Sequence, residues 1–161
     1  MIRPASCYCH SNGLQQAVPG PHQRNRMNID KYYDLPFSTE QVYAAWICPQ
    51  TIIPPATRME IDPTVGGHYR LFIEEEDRCS RTEGLIFAIE PERHVRFTWE
   101  RDRDGEITEV ELFFTPTQNG STLRIRHFGF SKQETRDMHD SGWDNYVTRL
   151  SQFLLKEDEA A

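Results

Sequence analysis

The last stretch of the chain, residues 131–159, constrains the fold most strongly. It reads SKQETRDMHDSGWDNYVTRLSQFLLKEDE, and Ser131 and Glu134 have the spacing of a capping box that starts a helix. Apolar residues then recur at spacings of three and four, which is typical of one stripe along a long amphipathic helix: Trp143, Tyr146, Val147, Leu150, Phe153 and Leu154. Such an aromatic stripe needs a large apolar partner surface, which is either a sealed core or the wall of a cavity.

The chain before this helix has the alternation of period two that predicts β-strands. We expect strands over residues 28–35, 58–61, 68–75, 82–90, 94–101, 106–115 and 121–128. Asn119-Gly120 is the strongest hairpin signal between them. Consecutive strands joined by short turns predict an antiparallel meander with one apolar face and one polar face.

Two short helices are predicted after the first strand. Ser38 and Gln41 form another capping box, and the first helix should cover residues 39–47. Pro49, Pro54 and Pro55 interrupt the region that follows. The predicted fold is therefore α+β, with a curved antiparallel sheet of six to seven strands wrapped around the long C-terminal helix.

Charge and composition exclude several classes of partner. The 161 residues carry a formal charge of −7, and the first 26 contribute +3, so the rest of the chain carries −10. An acidic domain is unsuited to binding nucleic acid, which needs a basic patch. No apolar run reaches the roughly 20 residues of a membrane span. The four cysteines do not form a disulfide framework, which favours a reducing, cytoplasmic setting.

Residues 1–26 are predicted to be a disordered tail, and residues 27–158 a single domain. The tail has no hydrophobic periodicity and is rich in Pro, Gly, Gln and Asn. It contains Cys7, Cys9 and His10, but a structural zinc site needs four ligands and no second pair follows at the usual spacing. We therefore assign no metal and no cofactor.

Several motifs, taken in order, resemble the helix-grip (START-like, SRPBCC) superfamily. Within it, the chain is similar to homologues of the activator of heat-shock-protein-90 ATPase. The resemblance covers residues 28–156 and is carried by residues 36–46 (PFSTEQVYAAW), 65–70 (VGGHYR), 84–86 (GLI), 91–99 (PERHVRFTW), 120–123 (GSTL) and 139–143 (HDSGW), together with His127. Members of that family often carry a tryptophan pair after the first helix, where this chain has Ile52-Ile53-Pro54-Pro55.

The resemblance implies a domain with an internal apolar cavity between the sheet and the last helix. We therefore expect a small hydrophobic or aromatic molecule as the partner. The family name implies a second hypothesis, a regulator that contacts a chaperone and its ATPase. A third hypothesis is an enzyme of the cyclase or hydrolase type, as some helix-grip proteins are, with His127 as its acid or base.

His127 is the most notable single residue, because it continues the inward phase of Leu123 and Ile125. It is either a polar anchor in a ligand cavity or a core histidine bonded to neighbouring groups. Several aromatic residues share the predicted interior, where they line a cavity or fill a core. The candidate ligand-binding residues are Trp46, Tyr69, Phe97, Trp99, His127, Trp143 and Tyr146.

Two further features near the end of the chain are open to more than one interpretation. His139 lies either at a cavity entrance or in surface packing, and Gly142 permits either a close approach of helix and sheet or a local bend. No nucleophile elbow, Walker loop, dinucleotide fingerprint or HExxH zinc motif occurs, so we assign no catalytic residue. Glu83, Glu109 and Glu111 are expected to pair with arginines across neighbouring strands: Arg96, Arg124 and Arg126.

Overall fold

The computed structural model describes residues 27–160, and it contains seven strands and two helices over that range. The predicted tail, with Cys7, Cys9 and His10, lies outside the described residues. The elements in chain order are β1 (Ile29–Leu35), α1 (Thr39–Ile47), β2 (Arg58–Ile61), β3 (His68–Glu75), β4 (Arg78–Glu90), β5 (His94–Arg101), β6 (Thr108–Thr117), β7 (Gly120–Phe128) and α2 (Gln133–Ala160). The predicted strands are all present, although β4 begins four residues before the expected start.

The strands form one antiparallel sheet in the order β1-β7-β6-β5-β4-β3-β2. Strands β2 to β7 follow one another as a meander because each is joined to the next by a connection too short for a crossover. The first strand pairs with the last, and Ile29 lies opposite His127 while Leu35 lies opposite Ser121. The chain thus brings β1 beside β7, on the side of the sheet opposite β2.

The first helix forms as predicted, whereas the expected second short helix is absent from the described residues. At the start of α1, the Gln41 amide donates to Ser38 Oγ over 3.1 Å, and the Ser38 amide donates to Gln41 Oε1 over 3.0 Å. The connector that follows, residues 48–57, has only turns. Pro54 and Pro55 provide no N–H donors, and each disfavours helical backbone in the residue before it, so a helix cannot propagate there.

Helix α2 starts at Gln133, and the predicted capping box of Ser131 and Glu134 is not formed. The Ser131 amide instead donates to Glu106 Oε1 over 3.0 Å, which fixes Ser131 outside the helix. The Lys132 carbonyl accepts the first helical hydrogen bond, from the Arg136 amide over 3.1 Å. A contact from the loop before β6 therefore determines where the helix begins.

The apolar stripe of α2 packs against the concave face of the sheet. Trp143, Val147, Leu150 and Leu154 are buried, whereas Tyr146 and Phe153 are partly buried. The sheet contributes fully buried side chains from its central strands: Val110, Leu112, Leu123 and Ile125. The predicted α+β helix-grip architecture is thus confirmed, with the core between the last helix and β5 to β7 and β1.

Charged pairs cover the convex face of the sheet. Arg96 pairs with Glu109 and Arg126 pairs with Glu111, as expected. Arg124 pairs with Asp30 of β1 instead, because β1 is its neighbour in the sheet. Glu83 pairs with none of the three expected arginines. Its partners are Arg70 of β3, Arg81 of β4 and Arg103, which follows β5.

Neither helix of the described residues is long and apolar enough to cross a membrane. Cys48 and Cys79 are free thiols.

Candidate ligand-binding site

A cleft that is open to solvent on one side lies between α2, strands β2 to β5 and the connector after α1. We call it the outer cleft, and its volume is about 260 Å³. An engineered cavity of ~150 Å³ holds benzene, and typical small-molecule pockets begin at ~300 Å³. Its apolar lining comes from the connector, the sheet and the helix: Ile52, Ile53, Pro54, Pro55, Met59, Leu71, Ile73, Trp99, Met138, Trp143 and Tyr146.

A smaller space of about 70 Å³, the inner recess, continues the outer cleft toward α1. The two spaces share five lining residues: Met59, Leu71, Trp99, Trp143 and Tyr146. The rest of the recess is formed by apolar side chains, among them Ile86, Val95 and Phe97. Because their walls are common, the outer cleft and the inner recess are two parts of one site.

Six of the seven residues predicted for the ligand site line these spaces. Trp46, Tyr69 and Phe97 line the inner recess, and Trp99, Trp143 and Tyr146 line both spaces. The seventh, His127, lines neither of them and has no exposed surface. The positions follow from strand alternation and helix periodicity, which turn these side chains toward the same concave interior.

His127 lies behind Trp143 in a buried chain of hydrogen bonds. The Trp143 indole N–H donates to His127 Nδ1 over 3.1 Å. An accepting nitrogen carries no proton, so the neutral ring has its proton on Nε2 and donates to Thr108 Oγ1 over 2.7 Å. Thr108 Oγ1 donates in turn to the Trp99 carbonyl over 3.2 Å. Both ring nitrogens are thus used by the protein itself.

The protonation of His127 follows from this burial. Desolvation, and secondarily the nearby His139, lower the pKa of His127 from 6.5 to about 2. The ring is therefore neutral at physiological pH. A neutral ring with two protein partners and no exposed surface holds Trp143 in place and has no group to offer a ligand.

His139 forms a second histidine–tryptophan pair at the edge of the outer cleft. Its Nε2 accepts from the Trp99 indole N–H over 3.1 Å, and its Nδ1–H donates to the Thr135 carbonyl over 2.8 Å. Burial lowers the pKa of His139, and the positive charge of Arg101 acts in the same direction. Since Trp99 and Trp143 both give their N–H groups to histidines, they present ring surface to the cleft and no free donor.

The two tyrosines of the site differ in how their hydroxyl groups are used. The Tyr69 hydroxyl donates to the Thr98 carbonyl over 2.7 Å. The Tyr146 hydroxyl has no hydrogen-bond partner among residues 27–160, although Tyr146 lines both the outer cleft and the inner recess. Burial raises the pKa of both groups, so both are neutral hydroxyls. Tyr146 therefore adds to the lining of both spaces a hydroxyl that has no partner among residues 27–160.

Gly142 explains part of the width of the outer cleft. A Cβ atom added at this position would meet no atom within 4 Å. Neither a close approach of helix to sheet nor steric need therefore accounts for the glycine. Since Gly142 lines the outer cleft, the missing side chain leaves space that a larger residue would occupy.

Sequence reasoning missed several residues of the outer cleft. The departure from the family pattern at Ile52 to Pro55 bears on the shape of one cavity mouth, and in the structure these residues line one wall of the outer cleft. Arg78 and Arg101 were not assigned to the site, although both line the outer cleft. Alternation from Trp99 to Arg101 along β5 is the signal that places Arg101 on the concave face.

A metal site is not indicated by the described part of the chain. Among residues 27–160, no group of three or more His, Cys, Asp or Glu side chains could hold an ion.

Solved structures with the same fold come from several bacteria. An AHSA1-like protein from Aeromonas hydrophila aligns with a TM-score of 0.70 and 18% identity, over 82% of this chain and 94% of its own. A protein from Chromobacterium violaceum aligns with a TM-score of 0.67 and 20% identity, over 80% and 96%. DynU16, from the dynemicin biosynthetic locus, aligns with a TM-score of 0.69 and 18% identity, over 80% of this chain and 47% of its own. At these identities the likeness shows the fold alone.

A family model agrees with this structural likeness. The model described as "Activator of Hsp90 ATPase homolog 1-like protein" matches residues 36–154, which reach from the start of α1 almost to the end of α2. A comparison with curated proteins finds no match.

Proposed function

The chain belongs to the family of Activator of Hsp90 ATPase homolog 1-like proteins, and from this premise we propose that it binds a small apolar or aromatic molecule in the outer cleft and the inner recess. The ligand lies between α2 and the sheet. Aromatic faces and aliphatic side chains form its surroundings, and desolvation of its apolar surface drives binding.

One observation carries the proposal, namely that all three tryptophans of the chain surround the same space. Trp46 stacks on Trp143 with ring centroids 6.0 Å apart, and Trp143 lies 5.4 Å from Trp99. The indole donors of Trp99 and Trp143 are bonded to histidines, so the rings face the space with carbon surface only. An aromatic group that enters gains stacking and edge contacts worth ~0.5–1.5 kcal/mol each beyond burial.

The size of the site limits the ligand class. A volume of about 260 Å³ suits a molecule of roughly one or two rings, or an aliphatic chain of similar bulk. A sterol or a two-chain lipid exceeds this space. The free Tyr146 hydroxyl can hold one polar atom of the ligand.

The test uses the neutral fluorophore N-phenyl-1-naphthylamine with the full chain. We expect saturable enhancement of its emission, a raised midpoint of thermal unfolding and a change in tryptophan emission. Ligand binding stabilises the folded state by mass action, so the thermal shift should grow with probe concentration. If neither the tryptophan signal nor the unfolding temperature responds to the probe, or to a panel of apolar compounds, the proposal is wrong.

Substitutions at Gly142 locate the binding event. Gly142→Phe places a ring in the outer cleft and should abolish binding, whereas Gly142→Ala adds one methyl group and should leave it nearly unchanged. Both variants should keep the helix, because a Cβ atom at this position meets no atom within 4 Å. Equal probe binding by both variants would show that the probe sits elsewhere.

The geometry speaks against the hypothesis of an enzyme that uses His127 as its acid or base. A general acid or base must reach the substrate within hydrogen-bond distance, directly or through one water. His127 has no exposed surface, lines neither space and is held by Trp143 and Thr108. Its lowered pKa also leaves it neutral and weakly basic.

Regulation of a chaperone is the second candidate function, and the description of the family is the observation that favours it. It requires a protein contact that stimulates ATP hydrolysis. Pull-down with Hsp90 and a steady-state ATPase assay test it, with Gly142→Phe as a variant that separates cleft binding from surface contact.

As a location for either function we propose the cytoplasm, which the free thiols of Cys48 and Cys79 support.

A further inference from the structure

The outer cleft changes from apolar to polar along its strands. On β4, Arg78, Ser80 and Thr82 occupy alternate positions and line the cleft. On β5, Arg101 lines it two residues beyond Trp99. Deeper positions on these strands are apolar. The site therefore has an aromatic interior and a mouth with two arginine side chains.

Arg101 spans the mouth from β5 toward α2. Its Nε lies 3.4 Å from Ser80 Oγ and 3.6 Å from Asp102 Oδ2. Its Nη1 points at Met138 Sδ, 3.5 Å away, and thioether sulfur is a weak acceptor. The two Nη groups therefore have no strong acceptor among the described residues, although Nη1 already reaches the rim of the cleft.

The carboxylate of Asp102 does not occupy the Nη groups of Arg101. Asp102 Oδ1 accepts from the Arg81 amide over 2.7 Å, and Oδ2 accepts from Ser80 Oγ over 3.1 Å. The carboxylate thus reaches Arg101 only on its Nε side and at long range. Arg101 is about one-third exposed, so its charge is both hydrated and accessible at the mouth.

The charge of the lining is opposite to the charge of the protein. The chain carries −7, yet no Asp or Glu of the described residues lines the outer cleft, whereas Arg78 and Arg101 do. Most other arginines between residues 27 and 160 are paired with carboxylates, as on the convex face. Within that range Arg78 has no carboxylate at ion-pair distance. Arg101 has one carboxylate contact, through Nε, and its Nη groups have none. Together with Arg78 they place positive charge beside an apolar space, which suits an anion attached to an apolar body.

We propose that the ligand of the outer cleft is a monoanionic amphiphile, an apolar chain or ring that bears one carboxylate. This inference rests on the proposed function and names its ligand class. The carboxylate bonds the Nη groups of Arg101, with Arg78 as a second cation at the mouth. The apolar body lies against Trp99, Leu71 and Met59.

The test compares three probes with the same eight-carbon chain, namely octanoate, octanol and octylammonium, by calorimetry at pH 7.5 and low salt. Octanoate should bind at least about tenfold more tightly than octanol, because a charge-assisted hydrogen bond adds to the same apolar contacts. Octylammonium should bind most weakly. The advantage of octanoate should shrink as salt is added, because the mouth is open to solvent.

Variants assign the preference to particular side chains. Arg101→Gln should remove most of the preference for octanoate while leaving the affinity for octanol nearly unchanged, and Arg78→Gln should remove a smaller part. Arg93→Gln is the matched control, since it lowers the net charge equally from the turn between β4 and β5, outside the cleft lining. Arg93→Gln should behave like the natural chain.

The outcomes separate this inference from the function on which it rests. Equal affinity for octanoate and octanol, or a preference that survives Arg101→Gln and Arg78→Gln together, overturns the anionic ligand and leaves the apolar binding function standing. If none of the three probes and no neutral fluorophore binds, the proposed function itself fails. A loss of preference in Arg93→Gln equal to that in Arg101→Gln would assign it to net charge instead of the mouth.

Discussion

The indole N–H of Trp143 donates to Nδ1 of His127 over 3.1 Å, and this bond joins the C-terminal helix to the central sheet inside the core. The His127 ring also bonds Thr108, and the Thr108 hydroxyl donates to the backbone carbonyl of Trp99. Two walls of the outer cleft are therefore oriented by one buried chain of polar groups. Such a chain specifies the position of its members because each unpaired member would be costly.

The first prediction concerns His127 and pH. Its pKa is about 2 in the folded protein and near 6.5 in the unfolded chain, so below pH 6.5 the unfolded state binds the proton and the folded state does not. The contribution of neutral His127 to stability is complete above pH 6.5 and declines as the pH falls. Between pH 7.5 and pH 5 we expect a loss of about 2 kcal/mol from this group.

Urea unfolding at pH 7.5 and pH 5 measures this loss, with His127→Gln as the comparison. Glutamine retains an acceptor for Trp143 and does not titrate, so the variant should start less stable and lose about 2 kcal/mol less on acidification. All other titrating groups are common to both proteins. Parallel pH dependence in the two proteins would contradict the assigned pKa.

The strands and the role of α2 were predictable because period two and period 3.6 determine which side chains share a face. The same periodicities placed Trp99, Trp143 and Tyr146 in one interior. Chain pattern alone left two alternatives open for His127, because pattern gives the direction of a side chain and not its partners. In the structure both nitrogens of its ring bond to protein groups, which is the arrangement expected of a core histidine.

Other features depend on contacts between segments far apart in the chain. The start of α2 is determined by Glu106, 25 residues before Ser131, and no local capping signal contains that information. The outer cleft likewise depends on the connector after α1 reaching α2. Its irregular backbone follows no period, so the sequence relates it to one cavity mouth only through the departure from the family pattern and does not give the wall that it forms.

The second prediction is that Gly142→Ala stabilises the protein. Alanine in a helix interior is favoured over glycine by about 1 kcal/mol, and the added Cβ meets no atom within 4 Å. The free energy of unfolding should therefore rise by about 0.5–1 kcal/mol. Chemical denaturation measures it, and a decrease would show that Gly142 has a conformational role in α2.

The third prediction is that the same change at Gly84 has the opposite effect. A Cβ atom at Gly84 would lie 1.8 Å from the Thr98 carbonyl oxygen, which is backbone of the neighbouring strand. Strands β4 and β5 would have to separate, and that displaces the Thr98 hydroxyl, which accepts from the Leu85 amide over 2.8 Å. We expect Gly84→Ala to cost at least about 2 kcal/mol. Surface substitutions typically change the free energy of unfolding by less than about 0.5 kcal/mol. A change as small as that for Gly84→Ala would show that the sheet adjusts to the added methyl group.

The last prediction compares the two tyrosines of the site by removing one oxygen atom from each. Tyr69→Phe leaves the Thr98 carbonyl without its side-chain donor, so the free energy of unfolding should fall by about 1–1.5 kcal/mol. Tyr146→Phe removes a hydroxyl that has no partner within residues 27–160, and stability should change by less than about 0.5 kcal/mol.

Binding should reverse the order of the two tyrosine variants. Tyr146 lines the outer cleft and the inner recess. We therefore expect the loss of its hydroxyl to weaken binding of a ligand that carries a polar atom deep in the site, and to leave binding of a pure hydrocarbon unaffected. Calorimetry with naphthalene and 1-naphthol, on both variants, measures this. If Tyr146→Phe reduces stability as much as Tyr69→Phe does, the Tyr146 hydroxyl belongs to the core. The site then lacks its inner polar contact.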